Sequence, residues 1–397
     1  MAPNPKDYIT TIGSHDPDDS GEYLKEVIVP GLNYEIKVNK VHLKTKSPFQ
    51  EIQIIDTCFG KTLLTDGLTQ STQVDEFIYS ESLVHPALVL CAQRRKQELA
   101  TTSSNTQAQS MPKLTVLIGG GGELATAREV LKYPCVEKVV MVEIDSMVVD
   151  VSRKYLPEWG GDNVYNDPRL ELIIGDAYEY VAANTPRSND SGGGSPTLFD
   201  AIIMDISDPV EAGPGFALYT KEFFELASKR LKPSGVIVTQ AGMAEIVPAS
   251  SRTSMNCHYG VWSSADGQNT NEEVSLFGPL LNTLKSVFDE SRGYTTNIPS
   301  FGGEWAFALA FNHINQNETE ALNSFDPSSP SFSSELVDEW LEQLLSTPST
   351  SAESIYIGHY DGQTHSRMFL LPKPLRNYLK TETRTMTKDD PIYLYNG

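Results

Sequence analysis

The stretch Val116-Leu117-Ile118-Gly119-Gly120-Gly121-Gly122-Glu123, followed twenty residues after Glu123 by Glu143-Ile144-Asp145, constrains this chain more than any other feature. An apolar strand, a glycine-rich turn, a helix over Ala125–Leu131, a second strand over Val139–Val142 and an acid at its end make a nucleotide-binding βαβ unit. Glycines such as Gly120, Gly121 and Gly122 let the backbone turn tightly and approach a ligand, and the acid at Glu143 can take two ribose hydroxyls. An adenosine is the expected occupant. Glu123 stands where a pyrophosphate would meet the helix N-terminus, and its charge repels phosphate. That disfavours NAD and points to a ligand with a cationic arm, such as a sulfonium nucleoside carrying an aminoalkyl group. The plainer alternatives are an acid that complements the helix dipole at Glu123 and an ordinary surface acid at Glu143.

Around this unit strands and helices alternate. Strands are predicted at Thr115–Ile118, Val139–Val142, Leu170–Ile174, Ala201–Met204 and Val236–Thr239, with helices at Met147–Tyr155, Ala177–Ala183, Lys221–Leu231 and Leu276–Phe288, and further strands near Tyr294 and Ala306–Phe311. Such alternation predicts an α/β fold: a Rossmann-like, methyltransferase-like doubly wound parallel sheet that binds ligands at the strand carboxyl ends. Before it, short β-like runs at Glu26–Val29, Tyr34–His42, Gln50–Thr57 and Lys61–Leu64, broken by Pro30-Gly31, Lys46-Ser47-Pro48 and Asp66-Gly67, predict a small antiparallel β domain. The expected division is a flexible tail at 1–22, the β module and first helix at 23–91, a polar loop at 92–112, the catalytic domain at 113–315, and a linker with C-terminal extension at 316–397. Ser188–Pro196 and Pro248–Glu272 read as flexible insertions.

Two further constellations lie at predicted strand ends. Gly175-Asp176-Ala177 follows the third strand; Asp176 can accept the adenine exocyclic amine while the Ala177 N–H meets a ring nitrogen, and it also suits a helix N-cap. The fourth strand ends in Asp205-Ile206-Ser207-Asp208-Pro209, two carboxylates three apart. An alkylammonium, of pKa about 10, must lose its proton before it attacks a carbon beside a sulfonium. A carboxylate can hold the cation, align the lone pair and take the proton. Asp205 is the candidate for that role, whereas Asp208 also fits turn chemistry before Pro209.

The formal charge of −21, from 52 acids and 31 bases, disfavours nucleic acid and anionic membranes and would attract a polycation. Cys58, Cys91, Cys135 and Cys257 are far apart with no CxxC pair, which fits reduced thiols without a zinc site. The seven histidines show no ligand spacing, so no metal is expected. With no apolar leader in Met1–Glu22 and no apolar run of membrane-spanning length, a soluble cytoplasmic protein is expected.

Over about residues 24–312 these motifs resemble the aminopropyltransferases that make polyamines. The carriers are the GGGE turn, Glu143-Ile144-Asp145, Gly175-Asp176-Ala177, the Asp205 to Pro209 element, and Phe59-Gly60-Lys61 through Asp66-Gly67, Gln70, Asp75-Glu76 and Tyr79. The resemblance implies decarboxylated S-adenosylmethionine as co-substrate, no other cofactor, a lid over the cleft, and a homodimer or homotetramer. It places Gln50 on the donor, Glu143 on the ribose, Asp176 on the adenine, Glu123 on the aminopropyl ammonium, and Asp205 and Tyr79 on the attacking amine, with Gln70 and Gln240 nearby.

Within that family the chain is most similar to thermospermine-forming members, through Asp75 to Tyr79, His85 to Leu88, Asp208 to Pro214, Leu218 to Lys221, Val238 to Gly242 and Pro299-Ser300-Phe301. Spermidine synthases tend to have a tyrosine where Phe301 stands and a proline after it. Loss of that hydroxyl leaves an apolar wall suited to the methylenes of a longer acceptor, so spermidine is the expected substrate. Spermidine synthase, spermine synthase, an S-adenosylmethionine methyltransferase and a non-catalytic polyamine binder are the alternatives. Leu124, where the family has small residues, must pack away from the ligand. The tail from His359 to Tyr395 is expected to pack on the main domain or a partner subunit.

Overall fold

A computed structural model describes residues 21–29, 32–102, 111–183, 197–209, 213, 215–244, 276–314, 332–346 and 355–393. The tail before residue 21, both glycine- and serine-rich insertions, and most of the linker around 315–331 lie outside the described residues.

The N-terminal module holds six strands in two sheets. β1 (Glu22–Val29) and β2 (Leu32–Val38) form an antiparallel pair, and β3 (Lys40–Lys46), β4 (Glu51–Thr57), β5 (Gly60–Thr65) and β6 (Leu68–Thr72) form an antiparallel sheet in that order. The single run expected over Tyr34–His42 is two strands, parted at Asn39, whose N–H turns to Asp56 O at 2.8 Å. β4 alternates with period two and is buried on both faces. Ile52 and Ile54 pack with Leu63 against Ala125, Val148 and Trp159 of the main domain, whereas Ile55 packs with Leu64 against Leu24 and Ile36. Asp66 and Gly67 both have positive φ, 49° and 83°, the signature of a type I′ turn that joins β5 to β6.

α1 (Glu76–Thr102) follows and is 27 residues long. Pro86 lies inside it and lacks the N–H that would bond Ser82 O; Tyr294 OH donates to that carbonyl at 3.0 Å. The polar loop expected at 92–112 is corrected over its first part: the chain stays helical to Thr102. Arg94 is 1% exposed because its guanidinium lies 4.3 Å over the Phe311 ring and donates to Ser234 O and Asn312 O at 3.1 and 2.6 Å.

The main domain runs β7 (Leu114–Gly120), α2 (Ala125–Leu131), β8 (Val136–Glu143), α3 (Ser146–Tyr155), α4 (Gly161–Tyr165), β9 (Leu170–Ile174), α5 (Ala177–Ala183), β10 (Phe199–Asp205), α6 (Lys221–Ser228), β11 (Leu231–Met243), α7 (Phe277–Lys285), β12 (Glu290–Ile298) and β13 (Gly303–Phe311). The sheet order is β12-β13-β11-β10-β7-β8-β9. The expected parallel arrangement holds from β11 to β9, while β13 and β12 extend the sheet as an antiparallel hairpin. Strand order reverses between β7 and β10, so their carboxyl ends open a crevice. Both faces are covered: Ala201 and Ile203 of β10 join one core with α1, and Ile202 and Met204 join the other with α6 and α7.

α8 (Ser334–Leu345), α9 (Gly362–Phe369) and α10 (Lys373–Thr381) complete the described chain. The extension packs on the main domain: Val337, Leu341, Met368 and Phe369 join the core of α1, and Leu375 and Met386 the opposite one. The Glu81 carboxylate accepts the N–H groups of Gly358, His359 and Tyr360 at 2.7, 2.7 and 2.9 Å, which anchors the extension to α1. Among the described residues no helix is long and apolar enough to cross a membrane.

Candidate active site

The glycine turn and Asp205 are built against each other. Gly120 pairs with Asp205 across β7 and β10, and the Gly121 N–H donates to Asp205 O at 2.9 Å. A Cβ on Gly120, whose φ is +81°, would lie 2.1 Å from that oxygen, so only glycine fits. Gly122 faces Glu143: a Cβ there would come within 3.1 Å of Glu143 Oε2. Leu124 also adopts positive φ, 74°, and its buried side chain joins the core of α1, as its size at this place requires.

At the end of β8, Glu143 is 8% exposed and accepts the Asp145 N–H on Oε1 at 2.8 Å. Burial pushes its carboxyl up to about 7. Asp145 caps α3, taking the Met147 N–H at 3.0 Å, and its other oxygen accepts Ser47 Oγ at 2.6 Å and Gln50 Nε2 at 3.0 Å. Gln50 thus reaches this side of the cleft through Asp145, with the N-terminal module docked on the α3 cap. Asp176 is exposed; its Oδ1 accepts the Tyr178 N–H at 2.7 Å, so it caps α5, while Ala177 is buried behind it.

Asp205 ends β10 and is held at both oxygens, Oδ1 by Tyr79 OH at 2.8 Å and Oδ2 by Thr126 Oγ1 at 2.6 Å. Burial raises its pKa although both hydrogen bonds oppose the rise. Burial and then the neighbouring Asp205 charge push Glu123 well above the usual carboxylate range. Burial lifts Asp208 to about 6. Gln240 Nε2 donates to Asp208 Oδ1 at 2.8 Å, Ile206 O at 3.0 Å and Tyr219 OH at 2.6 Å, while its Oε1 accepts the Gly242 N–H at 2.7 Å. Aromatic rings adjoin Tyr79: Phe301 lies 6.0 Å from it and 4.7 Å from Trp305, centroid to centroid. Gln70 is half-buried on β6, and its amide donates back to Leu68 O at 3.4 Å rather than to the Asp205 group.

Glu123, Glu143, Asp205 and Asp208 all have raised pKa values. Like charges gathered at a cleft with no compensating cation among the described residues favour a cationic ligand. The nearby Arg128 is spent elsewhere, bonding both oxygens of Glu76 at 2.8 and 2.9 Å. Thr126, which bonds Asp205, was not singled out by the sequence, and Tyr219 entered only within the Leu218 to Lys221 motif, without a role; the structure puts it on Gln240. Among the described residues one cluster has metal-ligand residue types, Glu81, His85 and Glu129, all buried, with ligand atoms within 4.8 Å of one another. Lys132 Nζ stands 2.6 Å from Glu129 and 4.0 Å from Glu81, so an ammonium already serves these carboxylates.

Residues 76–258 match the spermine/spermidine synthase domain, and residues 23–73 the spermidine synthase tetramerisation domain. A polyamine aminopropyltransferase of Synechococcus sp. (strain JA-2-3B'a(2-13)) is 34% identical over 370 residues, 93% of this chain and 96% of the relative. The chain belongs to the polyamine aminopropyltransferase family. Its similarity to the Sulfurisphaera tokodaii polyamine aminopropyltransferase is 32% identity over 358 residues, covering 89% and 92% of the two chains. A spermidine synthase solved with the transition-state analogue AdoDATO aligns with a TM-score of 0.64 at 26% identity, over 91% of this chain and 95% of that one. Spermidine synthase from Thermotoga maritima, at 24% identity and a TM-score of 0.61, shares the fold. The protein is an aminopropyltransferase whose co-substrate is decarboxylated S-adenosylmethionine.

Proposed function

We propose that this enzyme transfers the aminopropyl group to spermidine, giving thermospermine and methylthioadenosine. The observation that carries the reading is the group of buried carboxylates Glu123, Asp205 and Asp208, in which Asp205 is bonded by Tyr79, whose ring lies 6.0 Å from the apolar ring of Phe301. In this reading Glu143 holds the ribose, with Gln50 and Asp145 behind it. Asp176 and the Ala177 N–H take the adenine, and Gly120, Gly121 and Gly122 bring the backbone under the donor. Glu123 pairs with the aminopropyl ammonium. Ordinary S-adenosylmethionine carries a carboxylate on that arm, which Glu123 repels.

Asp205 accepts the proton of the attacking amine as the C–N bond forms and the C–S bond breaks. Tyr79 and Thr126 fix its orientation, so the reacting nitrogen meets one lone-pair direction. Asp208, steadied by Gln240, takes a second ammonium of the acceptor, and Gln70, Tyr79 and Phe301 line its path. The step is a single displacement that needs positioning and charge. The residue 23–73 module supports assembly as a homodimer or homotetramer, the 113–315 region serves as the catalytic unit, and the cytoplasm is the compartment.

The test supplies decarboxylated S-adenosylmethionine with putrescine and spermidine in competition, and resolves the tetraamine isomers. Spermidine consumed and thermospermine formed is the expected result. Spermine would reverse the register of the acceptor, and spermidine made from putrescine would overturn the role of Phe301.

A further inference from the structure

Asp75 is a buried carboxylate outside the Asp205 group, 2% exposed. Its Oδ1 accepts Thr72 Oγ1 at 2.6 Å and Ser300 Oγ at 2.8 Å, and its Oδ2 accepts the Ser300 N–H at 2.8 Å. Its own carbonyl accepts the Ile78 N–H at 3.0 Å as α1 begins. One residue therefore ties three segments, its side chain joining the end of β6 to the Pro299–Phe301 turn, where Ser300 lies 225 residues away, and its carbonyl joining the first turn of α1. Thr72 and Ser300 are each 1% exposed, so these bonds are shielded from water and have no solvent substitute.

The two ends of this clamp carry the acceptor path. Tyr79, which donates to Asp205, lies one helical turn after Asp75, and Phe301 follows Ser300 directly. The Tyr79 and Phe301 rings stand 6.0 Å apart, centroid to centroid. We infer that Asp75 is a positioning residue for acceptor selection: with Ser300 it sets the gap between Tyr79 and Phe301 through which the polyamine chain passes, without touching the polyamine itself. The inference rests on Phe301 and Tyr79 lining the acceptor path.

The chemistry of the clamp supplies an unusual pair of test variants. In Asp75→Asn the amide oxygen can still accept the Ser300 N–H, and the amide nitrogen can donate to the two hydroxyls, which are free to rotate and accept. In Asp75→Ala the buried Ser300 N–H loses its partner and the turn is released. The expected results are an acceptor KM raised about tenfold in Asp75→Ala, near wild type in Asp75→Asn, and raised about threefold in the milder Ser300→Ala, with donor KM unchanged within about twofold in all three. On a Phe301→Ala background Asp75→Ala is expected to raise acceptor KM no further. An acceptor KM unchanged in both Asp75→Ala and Ser300→Ala overturns the inference, as does a parallel rise in donor KM. If Asp75→Ala does not fold, Ser300→Ala alone decides. These ratios are read with whichever of putrescine or spermidine the wild type consumes, so a failed product assignment and a failed clamp give different results.

Discussion

The proposed donor and acceptor halves of the cleft are built in different ways. Apart from Gln50, which reaches Asp145 from the N-terminal module, the donor half comes from one stretch, β7 to α5, where Glu143 is fixed by the N–H two residues on, and Asp176 likewise. The acceptor half is assembled across the chain: Tyr79 meets Asp205 over 126 residues, Thr126 meets it over 79, and Ser300 meets Asp75 over 225. On this assignment donor recognition forms mainly with the βαβ units, whereas acceptor recognition depends on the long-range docking of α1 and the β12–β13 hairpin.

The sharpest way to break this division is Asp205→Asn. The amide cannot take the amine proton, and turnover is expected to fall by about two to four orders of magnitude; a rate near wild type, followed by product formation, removes Asp205 from the chemistry. Glu123→Gln probes the donor half. Loss of the pair with the aminopropyl ammonium is expected to weaken donor affinity about tenfold and to narrow discrimination against S-adenosylmethionine. Unchanged selectivity in a calorimetric titration would leave Glu123 with only its helix-dipole role.

Smaller, and confined to the donor half, is a pH effect at Glu143. Its carboxyl is raised from 4.5 to about 7 in the folded protein. The folded state therefore holds this proton more tightly than the unfolded chain. The resulting stability is present below about pH 4.5 and is lost as pH rises toward 7, an amount on the order of 3 kcal/mol. Thermal unfolding of the ligand-free enzyme across pH 5 to 7.5 should show a shallower decline in Glu143→Gln than in wild type. Identical slopes would mean that Glu143 is not the titrating group.

The same contrast explains what could be read from the sequence. The glycine turn, Glu143, Asp176 and the Asp66-Gly67 hairpin are local patterns whose residues dictate their own backbone, and the structure has them as turns, caps and strand ends. Asp205 was legible as an acid at a strand end, but Thr126 beside it was not, because the bond joins side chains 79 residues apart. Polarity misled at Arg94, where a charged side chain in a Gln- and Ser-rich run finds its partners on β11 and after β13. β6 escaped notice because Leu68–Thr72 is short and polar, and only pairing with β5 makes it a strand. Gln70, chosen by resemblance alone, bonds within its own strand, so its place in acceptor recognition depends on the bound polyamine.

The separation of the two halves is tested most directly by titrating methylthioadenosine into wild-type enzyme and Asp205→Asn, with turnover measured on the same preparations. Donor-site affinity within about twofold of wild type, beside a turnover lower by two orders of magnitude or more, is the predicted result. Affinity that falls in step with turnover would contradict it, and would mean that Asp205 holds the donor pocket together rather than serving the attacking amine.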